Sequence, residues 1–131
     1  MRKPLFRHVE TKKAPQAIGP YSQAVGCESL LFISGQIPID PKVGEIVETT
    51  IEGQTRQVLE NIEAILQADG LGFEHVIKAE IYVKDITDFQ VINEIYALKF
   101  CHPIKPARQL VQVARLPKDS LIEISCIAVR S

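Results

Sequence analysis

Tryptophan is absent and aromatic residues make up only 6% of the 131-residue chain, too few flat side chains for a base-stacking nucleic-acid surface. An excess of charge of either sign is also lacking. Fifteen Lys and Arg against sixteen Asp and Glu give a formal net charge of −1, so the chain has no electrostatic case for nucleic acid or an acidic polymer as partner. Only three cysteines occur, Cys27, Cys101 and Cys126, with no CxxC pair and one left over. That pattern argues against a disulfide framework or a structural zinc site and suits a reducing cytosol. Cys101 and Cys126 read as buried. His8, His75 and His102 are far apart with no metal-ligand spacing. Gly70 and Gly72 follow a helical pattern instead of preceding one, which makes them a helix stop and not a phosphate cradle. No apolar run is long enough to span a membrane, and the basic start, Met1 to His8, lacks the apolar core of a signal peptide. A cytoplasmic protein is expected, with a short organellar presequence left open. The basic residues Arg2, Lys3, Arg7, Lys12 and Lys13 read as a solvated edge.

What is present suits one compact domain over residues 1–131, since 46% of the residues are apolar and can supply a real core. Residues 5–9, 22–25, 30–37 and the stub 45–47 read as strands, with turns at Gly19-Pro20 and Asp40-Pro41-Lys42-Val43-Gly44. Thr50 can cap a helix running to about Asp69, because Val58, Leu59, Ile62, Ile65 and Leu66 fall on one stripe and Gly70 ends it. Residues 76–84 alternate, with Ile77, Ala79, Ile81 and Val83 on the inner side. Thr87 and Gln90 resemble a capping box for a second helix whose inner stripe is Phe89, Ile92, Ile95, Tyr96 and Phe100. The predicted class is α+β: a mixed sheet with both helices on one face, and the other face uncovered until a second copy of the chain meets it.

Residues 107–115 and 121–129 read as the two strands of a terminal hairpin turned by Leu116-Pro117-Lys118-Asp119-Ser120. Period-two counting puts Val111 and Val113 in the core with Ile122, Ile124, Cys126 and Ala128. The opposite face then carries Arg108, Leu110 and Gln112 beside Glu123, Ser125 and Ile127. On this reading Arg108 and Glu123 share a face roughly 13 Å apart at the backbone, with a gap between their side chains suited to a small acid and a water. From these residues alone an ordinary surface or a loose ion-pair network is the more common arrangement.

Several phrases in order carry a resemblance: Ala17-Ile18-Gly19-Pro20-Tyr21-Ser22-Gln23-Ala24, Ser34-Gly35-Gln36-Ile37-Pro38, Val83-Lys84-Asp85 with Asp88-Phe89 and Asn93, Pro106-Ala107-Arg108, and Val113-Ala114-Arg115-Leu116-Pro117 through Ile122-Glu123-Ile124. Together, across residues 9–130, they resemble the RidA (YjgF) family of reactive imine and enamine deaminases. The resemblance implies a two-layer, chorismate-mutase-like domain assembled as a homotrimer with small-molecule sites between subunits. It implies cofactor-free hydrolysis of 2-imino acids such as 2-iminobutanoate and 2-iminopropanoate to 2-keto acids and ammonia. Arg108 matches the family's substrate arginine, whose planar fork suits a carboxylate. Glu123 matches the acid that orients the attacking water or shuttles its proton. Tyr21, Asn93 and Gly35 match pocket positions. Leu110 departs from the pattern, since many relatives carry cysteine there, and it makes the wall bulkier and more apolar. Two other readings stay open: a regulatory module that binds a 2-keto acid or similar small carboxylate without turnover, and a holdase or nucleic-acid-directed protein, the last disfavoured by the neutral charge.

Overall fold

The computed structural model describes residues 5–131. Arg2 and Lys3 of the basic arm lie outside these residues. Among the described residues eight strands and two α-helices follow in the order β1 (Arg7–Val9), β2 (Ala24–Cys27), β3 (Leu30–Gln36), β4 (Ile39–Asp40), β5 (Glu45–Ile46), α1 (Ile51–Ala68), β6 (Val76–Val83), α2 (Phe89–Lys99), β7 (Ala107–Gln112) and β8 (Ile122–Val129). Six of the strands form one sheet in the order β1-β2-β3-β8-β6-β7, while β4 and β5 pair separately. Every neighbouring pair is antiparallel except β6 and β7, which run parallel because α2 carries the chain between them.

The first helix forms as its sequence predicts. Thr50 Oγ1 accepts the Gly53 N–H at 3.1 Å, and Val58, Leu59, Ile62, Ile65 and Leu66 are wholly buried along one stripe against the sheet. Gly70 ends it in the left-handed region at φ 74°, while the Leu71 N–H returns to the Leu66 carbonyl. The second helix packs on the first, and its Ile92 and Ile95 join the same core. Both helices therefore cover one face of the sheet. Among the described residues no helix is long and apolar enough to cross a membrane.

The terminal hairpin does not form. β8 lies between β3 and β6, and β7 lies on the far edge of β6. The alternation in β8 buries Ile122, Ile124, Cys126 and Ala128, so the strand suits a central place between two neighbours. β7 carries Arg108, Gln109 and Gln112, which suit an edge. Its parallel register pairs Ala79 with Arg108, Ile81 with Leu110 and Val83 with Gln112. Leu110 thus packs against the core, and Val111 is 40% exposed on the other side, reversing the face expected for both. A turn sequence and an alternation specify which residues share a side of their own strand. They do not specify the neighbour.

Five smaller expectations also change. Ile77 is 46% exposed because a register shift between Val76 and Lys78 lets Val76 take the inward place. Thr87 does not cap α2; Asp85 instead accepts the Thr87 N–H at 2.9 Å and opens a 3-10 turn over Ile86–Asp88. That tighter turn rotates Phe89 off the inner stripe, leaving it 51% exposed. Cys101 is exposed, just past the last turn of α2, while Cys126 is buried as expected. Arg7 is more than a solvated edge: it meets Asp69 at 2.6 Å, and Arg130 reaches the same carboxylate at 2.9 Å, tying β1 and the end of β8 to the C-terminus of α1. These two guanidinium groups lower the Asp69 pKa, with the Arg7 hydrogen bond the largest cause.

Asn61 connects this core to the loop after β3. It is buried, and its amide donates to the carbonyls of Ile37 at 3.2 Å and Ile39 at 3.0 Å while its oxygen accepts from Gln57. Asn61→Ala leaves two carbonyls without their donor, and the expected loss is about 1–3 kcal/mol. A thermal-unfolding midpoint unchanged from wild type contradicts this.

Candidate functional site

Two separate clusters hold the residues singled out in the sequence. The first lies where β7 faces α2. Asn93 Oδ1 accepts from Arg108 Nη1 at 2.7 Å, and the guanidinium carbon stands 4.9 Å from the centre of the Tyr96 ring. Asn93 and Tyr96 are three apart on α2, so both present to the same side. Ile86, Thr87, Phe89 and Leu110 join Arg108 around an open cavity of about 420 Å³. The Thr87 hydroxyl already donates to Asp85 at 2.7 Å, so the guanidinium is the main polar feature of this largely apolar wall. Nε and Nη2 of Arg108 have no protein acceptor among the described residues, which leaves a two-pronged edge for an anion.

The second cluster lies on the open face of the sheet, beside β3. Glu123 is half-buried against Gly35, and a Cβ at Gly35 would collide with its carboxylate. Burial raises the Glu123 pKa above the usual carboxylate value. Gly35 and Tyr21 both line a neighbouring cavity of about 300 Å³, together with Ile18, Gln23, Ile37 and Lys118. Tyr21 is 54% exposed, and its hydroxyl accepts the Ile18 N–H at 3.3 Å, which folds the Gly19-Pro20 turn around the ring. Buried Gln23 fastens the preceding loop, accepting from Thr11 N–H at 2.7 Å and donating to the Pro15 carbonyl at 2.7 Å.

Arg108 and Glu123 do not share a face. Arg108 pairs with Ala79 and Glu123 with Tyr82, three residues further along β6, so the alternation sends their side chains to opposite sides of the sheet. Two strand spacings and three residues of rise put their backbones roughly 14 Å apart. A small ligand cannot touch both in a single copy. Arg108, Asn93 and Leu110 are brought together, as are Tyr21, Gly35 and Glu123, but the two groups are not. Sequence reasoning placed Tyr96 in the core and did not connect it with Arg108. Its spacing of three from Asn93 was the available signal.

The family described as Endoribonuclease L-PSP matches residues 11–130. The chain belongs to this family, the RidA (YjgF) proteins. It is 58% identical over 120 residues to a RutC family protein of Pyrococcus horikoshii, covering 92% of this chain and 94% of the relative. A Salmonella typhimurium protein named 2-iminobutanoate/2-iminopropanoate deaminase is 48% identical over 128 residues, 96% of this chain and 99% of that one. Among solved structures, Escherichia coli TdcF with bound serine superposes with a TM-score of 0.91 at 47% identity, covering 95% of this chain and 99% of that one. The α+β arrangement of this RidA-family chain is that of its structural relatives.

The contact between Gly35 and Glu123 gives a direct test of the second cluster. Gly35 is not at a positive φ, so alanine fits its backbone, but the added methyl must push the Glu123 carboxylate aside. Gly35→Ala is expected to displace the Glu123 carboxylate with little change in the unfolding midpoint, read as a changed Glu123 side-chain carboxyl resonance. An unchanged resonance contradicts it.

Proposed function

We propose that this chain hydrolyses reactive 2-imino acids and their enamine tautomers, with 2-iminobutanoate and 2-iminopropanoate as substrates, to the 2-keto acid and ammonia. The observation that carries this reading is the free edge of Arg108, held by Asn93 and Tyr96 at the mouth of a cavity. Every 2-imino acid carries a carboxylate next to the reacting carbon, and a guanidinium fork grips that group in two directions at once. The relative named as an imine deaminase at 48% identity supports the chemistry, and the serine in TdcF is a small carboxylate of comparable size.

In the proposed reaction a water adds through its oxygen to the imine carbon while Glu123 takes its proton, giving a carbinolamine. The nitrogen receives that proton, and as the carbon–nitrogen bond breaks the hydroxyl proton passes to Glu123, so that the carbonyl forms, ammonia leaves and the proton is released from Glu123 to solvent or to the ammonia. Half-burial helps Glu123 here, because a carboxylate with raised proton affinity is a better base. Tyr21 and Leu110 line the site, and Gly35 leaves room for the carboxylate of Glu123. Positioning and one modest proton transfer suffice for a protonated imine, without a cofactor.

The opposite-face placement of Arg108 and Glu123 favours a site shared between copies, with the guanidinium of one subunit and the carboxylate of the next around one ligand. A homotrimer with three such sites, working in the cytoplasm, is part of this proposal. The test is keto-acid formation while an amino-acid oxidase or a dehydratase generates imine in the cuvette. Faster formation with the protein supports the reading, and equal rates with and without it end it. Saturable binding of 2-ketobutyrate with no hydrolysis would instead identify a carboxylate-binding regulatory module.

A further inference from the structure

An arginine at an exposed sheet edge ordinarily samples many rotamers, and a fork that wanders cannot hold a carboxylate in one orientation. Arg108 is exposed, and among the described residues Asn93 supplies its one hydrogen-bonded protein contact. One bond at Nη1 fixes an edge but leaves the plane free to swing about it. The second restraint is aromatic. The guanidinium carbon lies 4.9 Å from the Tyr96 ring centre, within cation–π range.

That ring is itself immobilised. Tyr96 stacks on Phe100 with centroids 4.2 Å apart and planes 21° from parallel, and Phe100 meets Phe73 edge to face at 4.9 Å. Phe73 and Phe100 are both buried, so the three rings form a column from the core to the underside of the guanidinium. The Tyr96 hydroxyl is buried without a hydrogen-bond partner among the described residues, so packing and not a polar contact holds the ring. Burial pushes its pKa up to about 12, which keeps the phenol neutral through the physiological range.

We infer that Tyr96 is a positioning residue, the floor on which the Arg108 guanidinium lies, so that Asn93 fixes one edge of the fork and the Nε and Nη2 donors are presented together to a ligand carboxylate. The inference rests on the reading of Arg108 as the carboxylate grip. It assigns a ligand-binding consequence to a residue that otherwise looks like core packing. The ring matters and the hydroxyl does not.

The test combines calorimetric titration with 2-ketobutyrate, imine-hydrolysis kinetics and a spectroscopic probe. Tyr96→Leu is expected to weaken 2-ketobutyrate binding and raise KM about 3- to 20-fold, with kcat changed less than about twofold. Tyr96→Phe recovers the lost binding. Asn61→Ala, whose hydrogen bonds go to Ile37, Ile39 and Gln57 and not to the ring column, lowers the unfolding midpoint but is expected to change affinity less than about twofold, separating positioning from general stability. In wild-type protein the Arg108 Nε–H proton is expected to resonate upfield under the ring current, to keep that shift in Tyr96→Phe and to lose it in Tyr96→Leu. Equal affinity in Tyr96→Leu and wild type overturns the inference, as does an equal loss in Asn61→Ala. Should Tyr96→Leu not fold, a wild-type Arg108 Nε–H signal without the upfield shift overturns it instead. Arg108→Ala distinguishes the two ideas: undiminished 2-ketobutyrate binding in that variant removes the grip reading itself, whereas its loss beside an unaffected Tyr96→Leu removes only the role of Tyr96.

Discussion

On the proposed mechanism, Arg108→Ala is expected to lower kcat/KM for 2-imino acid hydrolysis by about 100- to 1,000-fold, because it would remove a two-pronged, charge-assisted grip of roughly 3–4 kcal/mol. The loss should fall on binding and on orientation together, since the carboxylate sits beside the reacting carbon. Arg108→Lys recovers only part of it: an ammonium supplies the charge but not the planar fork, and it cannot both donate to Asn93 and present two parallel donors to the ligand. The fold should be unaffected. Arg108 is exposed on an edge strand, and among the described residues its side chain makes one hydrogen bond, to an amide, and one cation–π contact, with a ring face. Steady-state kinetics beside thermal unfolding decide the matter, and a variant with wild-type kcat/KM refutes the assignment.

Glu123→Gln is the complementary case. An amide cannot take a proton from water, so kcat should drop about 100-fold or more while 2-keto acid binding changes little. On the proposed mechanism the base form of Glu123 is required, so the wild-type rate should fall as pH drops through its folded pKa. Burial raises that pKa above the ordinary value of 4.5, so the acid limb should lie higher than for an exposed glutamate. The stability sign is opposite. A carboxyl whose folded pKa is raised favours the folded state only when protonated, and this contribution disappears as pH rises through the folded pKa. At neutral pH, Glu123→Gln should therefore be at least as stable as wild type. An acid limb that stays in place in Glu123→Gln would show that another group titrates.

The two variants together test the shared site. Arg108→Ala and Glu123→Gln subunits, unfolded together and reassembled, can form sites with an intact arginine from one copy and an intact glutamate from its neighbour. Random mixing makes about a quarter of such sites complete, so activity should return to roughly a quarter of wild type from nearly none. Mixtures no more active than their parents would mean that the two residues do not meet across subunits.

How far these residues could be read from the chain differs between fold and site. The stripe of α1, its Thr50 cap and its Gly70 stop depend on contacts within a few residues, and the structure reproduces them. The alternation in β8 is equally faithful, since Ile122, Ile124, Cys126 and Ala128 all face inward. Phe89 and Ile77 were misplaced because a 3-10 turn and a register shift each change the phase of a pattern, and neither announces itself in residue type. The phrases around Arg108 and Glu123 mark them as chemistry, yet a shared face for the two requires a hairpin that the sheet does not contain.

By itself, the amino-acid order determined which segments are helices and strands, which residues turn inward on most of them, and which family the chain resembles. These depend on local periodicity and on short phrases. The tertiary structure alone decided that β8 inserts between β3 and β6, that Arg108 and Glu123 project from opposite faces, and that Tyr96 underlies the guanidinium. Strand pairing is a contest among all the apolar surfaces of the chain at once, and it is won by the arrangement that buries the most apolar strands at the centre and leaves the polar one at the edge.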